Sequence, residues 1–72
     1  MNVFEWFEKI HKEAKTILYD ENTEIELIFH PAYGFIVHNY HHSSAPYFIG
    51  VYEDRIAAEM SFERLVEEYA SE

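Results

Sequence analysis

The chain of 72 residues contains no cysteine, only two glycines and only five lysines and arginines. The first absence removes disulfides and thiolate zinc sites. A core this small must then rest on its own packing, on histidine or carboxylate metal ligation, or on a partner. Gly34 and Gly50 stand alone, which excludes a glycine-rich phosphate loop. Five basic residues against fourteen acidic ones leave a net charge of −9. That charge repels nucleic-acid phosphates and anionic membranes, so neither direct nucleic-acid binding nor membrane binding is expected, and a charged partner should be basic. No apolar run approaches the ~18 residues of a membrane span. Met1-Asn2-Val3 leads directly into a charged amphipathic pattern, and a cytoplasmic location is expected.

What the chain does have is rings: 18% of its residues are Phe, Tyr or Trp, and each ring can bury on the order of 150–250 Å². A single domain spanning residues 1–72 is expected, since the chain is too short for a second core. Asn2 and Glu5 have capping-box spacing, and Val3, Phe7, Ile10, Ala14 and Ile17, widened by Trp6 and Leu18, form a stripe at helical period. The spacing predicts a first helix from Val3 to about Leu18. After the polar run Asp20-Glu21-Asn22-Thr23, alternation predicts a strand over 24–30, with Ile25, Leu27 and Phe29 on one side. Pro31 to Gly34 suit a hairpin loop, so a second strand is expected from Phe35 to about His41. Ser43-Ser44-Ala45-Pro46 interrupts the pattern before a third strand over 47–53. Asp54 can cap a second helix whose stripe is Ala58, Phe62, Leu65, Val66 and Tyr69. The predicted fold is α+β: helix, three-stranded antiparallel meander, helix, with both helices on one face of the sheet. Trp6, Ile10, Ile17, Leu27, Phe29, Phe62 and Leu65 are the expected core.

The run Ile49-Gly50-Val51-Tyr52-Glu53, with Ala58 and Phe62 after it, resembles the strand-to-helix junction of three-stranded DNA-binding domains of the plant ethylene-response and integrase arm-binding types. The resemblance covers about a fifth of the chain and implies a close helix-on-sheet approach at Ala58, covered by Phe62. Those families read DNA with Arg and Trp on the sheet. The three strands expected here contain neither Arg nor Lys, so no DNA-reading role carries over.

Chemistry-bearing residues are sparse. His30, His38, His41 and His42 form the densest histidine group, and imidazole suits zinc, nickel or copper. Strand alternation separates His41 from His38 and His42, and no carboxylate is close in sequence, so solvated strand-edge histidines are expected, with no metal or cofactor. Ser43, Ser44 and Ser61 lack a triad, and a domain this small hardly encloses a pocket of ~300 Å³, so no catalysis is expected. Glu59, Glu63 and Glu67 recur every ~6 Å along helix 2. They could imitate nucleic acid only sparsely, because duplex DNA carries a charge every ~3.4 Å per strand and Arg55 and Arg64 interrupt the acidic surface.

Ile56 and Met60 fall opposite the second helix's packing stripe and are expected to face solvent beside those carboxylates, with Tyr52 and Phe48 as neighbours. If Ile25, Leu27 and Phe29 share a side with Phe35 and Val37, then Ile28, Ile36, Tyr40, His38 and His30 face outward, as a mixed surface suited to a partner; a one-residue shift in hairpin register instead buries Ile36 and Tyr40, and the turn sequence does not settle which. These patches suggest a small acidic interaction module that binds a protein partner or, as a homo-oligomer, itself, akin in scale to small phage or prophage inhibitors. An acidic nucleic-acid mimic is the alternative.

Overall fold

In the computed structural model, residues 3–39 and 49–70 are described. Helix α1 (Val3–Glu13) is followed by strands β1 (Lys15–Asp20), β2 (Ile25–His30), β3 (Gly34–Asn39) and β4 (Ile49–Tyr52), then helix α2 (Arg55–Ala70). The strands form one antiparallel sheet in the order β1-β2-β3-β4. The α+β class holds, with a fourth strand added to the meander.

The added strand corrects the expected first helix, which stops at Glu13. Lys15 to Asp20 instead pair with β2, from Lys15 opposite Phe29 to Asp20 opposite Ile25. β-Branched Thr16 and Ile17, followed by Leu18 and Tyr19, suit a pleated surface, and pairing with a strong neighbouring strand outweighs the helical period they also fit. The register shifts between Thr16 and Leu18, a bulge at Ile17. The β1–β2 turn is tied by Asp20, whose Oδ2 accepts from Thr23 N at 3.0 Å and Thr23 Oγ1 at 2.7 Å.

The β2–β3 register places Leu27 opposite Val37 and Phe29 opposite Phe35, the one of the two possible registers that puts Phe35 and Val37 on the side of Ile25, Leu27 and Phe29. Gly34 has φ +94°, and a Cβ there would lie 2.8 Å from the Tyr52 carbonyl oxygen, so both the turn and the β4 contact need glycine. Asp54 caps α2 by accepting from Ala57 N at 3.1 Å.

The helices lie on opposite faces of the sheet, which corrects the expectation of one shared face. Beneath α2, Ala58 and Phe62 pack with Ile25, Leu27 and Val37, flanked by Ile17, Phe35, Tyr52, Leu65, Val66 and Tyr69. Beneath α1, Phe7 and Ile10 pack with Ile28 and Ile36, flanked by Trp6 and Ala14. The central strands carry apolar residues at consecutive positions, Leu27-Ile28 and Ile36-Val37, so both faces demand cover. Ile28, Ile36, His30 and His38, expected to face outward, are therefore buried. Phe29, expected in the core, is exposed and leans on Phe35 with ring centroids 4.9 Å apart. Trp6, Ile17 and Leu65 sit at the core's edge rather than within it. Among the described residues, no helix is long and apolar enough to cross a membrane.

Candidate functional site

The period-2 alternation that sends Leu27 toward α2 sends Glu26 the other way, into the layer beneath α1. There it stands opposite His38 in the β2–β3 register. His11 descends from α1 one turn after Phe7, whose ring packs edge-on against His38 at 4.4 Å between centroids. Glu26 Oε1 lies 2.8 Å from His11 Nε2 and 2.9 Å from His38 Nε2, and Thr16 Oγ1 donates to Oε2 at 2.9 Å. The His38 side chain is fully buried and Glu26 nearly so, whereas the His11 side chain is 29% exposed.

Burial alone pushes the Glu26 carboxyl up. Hydrogen bonds from His38, His11 and Thr16, with the positive character of His11, outweigh it and hold the group below its ordinary value. An ionised carboxylate can only accept, so both imidazoles present Nε2–H to it. Three hydrogen bonds thus satisfy a buried charge that would otherwise be costly. Together the two imidazoles and the carboxylate join α1, β2 and β3.

His30 belongs to a separate pair. Its Nδ1 accepts from Ala32 N at 3.0 Å, which leaves Nε2–H to donate to Glu13 Oε1 at 3.1 Å, while the Tyr33 ring lies 5.0 Å away between centroids. The histidine group expected from the sequence is therefore divided, and His30 and His38 are buried rather than solvated. His41 and His42 lie outside the described residues, as do Tyr40, Phe48, Ser43 and Ser44. Ser61, a weighed nucleophile, is buried and accepts from Tyr52 Oη–H at 2.8 Å, a bond that fastens β4 to α2.

His11, Glu26 and Thr16 escaped the sequence reading. For Glu26 the one local signal is its strand parity with Ile28, since the register that faces Leu27 with Val37 also faces Glu26 with His38; His11 and Thr16 carried no such signal.

On the far side of α2, Ile56 is 67% and Met60 66% exposed, the largest values among the described large apolar side chains. Glu63 and Glu67 are exposed beside them, and Glu59 is half-buried and accepts from Arg55 Nε at 2.9 Å. An open groove lined by Tyr52, Ala57, Met60, Ser61 and Arg64 runs alongside. Tyr52, expected on the outer surface, is half-buried against the α2-side core and reaches the groove only as part of its wall. Ala58, at the expected strand-to-helix junction, is fully buried against the sheet together with Phe62. No protein-family model, no curated protein and no solved structure matches this chain.

Proposed function

We propose that the protein is a non-catalytic interaction module that binds a protein partner through the outer face of α2, centred on Ile56 and Met60. The observation that carries this reading is their shared exposure one turn apart, on a helix whose opposite stripe is docked on the sheet. Glu63, Glu67 and the Arg55–Glu59 pair surround them, and the chain's net charge of −9 adds a long-range field. The partner that fits presents an apolar residue among lysines or arginines. A second copy fits poorly, because its acidic rim would meet this one.

Burying both side chains contributes about 1.5–3 kcal/mol each, enough to anchor an interface but not to hold a tight one alone. The test compares the wild-type chain with an Ile56→Ser, Met60→Ser double variant. Proteins captured by the wild type are purified and titrated directly against both chains. A genuine partner should bind the variant at least ~10-fold more weakly, a loss of about 1.4 kcal/mol or more. It should also keep most of its affinity in high salt, because the contact is apolar at its centre. Equal binding to both chains overturns the proposal. Binding that DNA displaces and that collapses with salt favours the nucleic-acid mimic instead.

A further inference from the structure

We infer that His11, Glu26 and His38 form a binding site for a divalent transition-metal ion, for which Zn²⁺ is the appropriate probe. Two imidazole nitrogens and one carboxylate oxygen are a donor set suited to zinc, cobalt or nickel and unlike the all-oxygen shells of magnesium or calcium. The three donor atoms lie within 4.8 Å of one another, and they come from three different elements of the fold. Tetrahedral zinc with bonds of about 2.0–2.1 Å needs its ligand atoms about 3.4 Å apart. The two contacts to Glu26, at 2.8 and 2.9 Å, open by roughly half an ångström to reach that spacing, and the two imidazole nitrogens, within 4.8 Å of each other, adjust to the same value.

The surroundings are those of a supported site. Thr16 Oγ1 grips the second carboxylate oxygen at 2.9 Å, leaving Oε1 directed at the two imidazoles. The Phe7 ring against His38, and the cross-strand pairing of His38 with Glu26, fix the two buried ligands. Access lies on the His11 side, the one partly exposed member, and a water can complete the shell there. When the ion binds, each ring gives up its Nε2 proton to solvent water and carries its one remaining proton on Nδ1, so Nε2 turns from donor to ligand.

Such an ion would tie α1 to β2 and β3 in a small domain that has no cysteine with which to staple itself. This goes beyond the proposed binding face, which lies on α2 across the sheet, and the two can fail independently.

The full chain, stripped with chelator and dialysed, is titrated with Zn²⁺ by calorimetry and with Co²⁺ by visible absorption. One equivalent should bind, with the intense bands of tetrahedral cobalt, and added Zn²⁺ should raise the melting temperature in a concentration-dependent way. Thr16→Val should weaken binding by ~10-fold or more, and His11→Ala by more than the ~100-fold upper range of a supporting hydrogen bond. A His41→Ala, His42→Ala double variant should bind as the wild type does. Imidazole nitrogen NMR of the unmutated chain covers the case in which a variant fails to fold: Zn²⁺ should move the Nε2 signals of His11 and His38. Absence of saturable uptake, uptake indifferent to His11→Ala, or Zn²⁺-induced shifts confined to His41 and His42 overturns the inference.

Discussion

Beneath α2 the sheet presents Ile25, Leu27 and Val37 to Ala58 and Phe62; beneath α1 it presents Ile28 and Ile36 together with Glu26, His30 and His38. The first layer is apolar and is spanned by a 16-residue helix that packs on β2, β3 and β4. The second is half apolar and half hydrogen-bonded, under an 11-residue helix that leans chiefly on β2. Apolar contact is non-directional and scales with area, whereas the Glu26 cluster is directional and stabilises only when every bond is made. The α2 layer therefore supplies most of the stability, and the α1 layer supplies a defined position for its helix.

Breaking the α2 layer should have the largest effect. Phe62→Ala should cost about 3–5 kcal/mol, close to the whole stability of a domain this size, and thermal melts followed by circular dichroism should show an unfolded or barely folded chain. Glu26→Gln tests the α1 layer and should cost about 1.5–3 kcal/mol, the range for hydrogen bonds to a charged group. The effect should depend on pH. Between its lowered folded value and the ordinary 4.5, Glu26 holds more protons in the unfolded chain than in the folded one, so stability rises with pH across that window. The contribution is complete above the ordinary value and is lost as pH falls through the folded value. Denaturant melts should thus find wild type and Glu26→Gln converging in stability on acidification below pH 4.5.

Gly34→Ala sharpens the comparison at the sheet itself. Positive φ and a clash with the Tyr52 carbonyl should together cost about 1–2 kcal/mol, measurable by urea denaturation. The smallest effect belongs to Ile56→Ser with Met60→Ser, which touches neither layer. Fold stability should stay within about 0.5 kcal/mol of wild type in the same assay.

The α2 layer was legible in the sequence and the α1 layer was not, for physical reasons. Ala58, Phe62 and Leu65 fit a helical stripe and little else, whereas Leu27 against Val37 is one of two registers that a hairpin closed by Gly34 allows. Ile17 and Leu18, by contrast, satisfy a helical stripe and a strand equally well, and the pairing of β1 with β2 decides between them. Glu26 and His38 look like solvent-facing strand residues because both are polar. Their cover comes from packing partners 15 and 12 positions away in sequence, a relation that no local period encodes. The double apolar runs Leu27-Ile28 and Ile36-Val37 were the local sign that both faces of the sheet are buried.

The most direct measurement on the α1 layer is nitrogen-15 imidazole NMR of the metal-free protein at neutral pH. His11 and His38 should both carry a slowly exchanging Nε2 proton, each correlated to Glu26, and His30 should carry its proton on Nε2 because its Nδ1 accepts from Ala32. Rings that average between tautomers and exchange their protons as free histidine does would contradict a buried Glu26 gripped by two imidazoles, and with it the account of how α1 is held to the sheet.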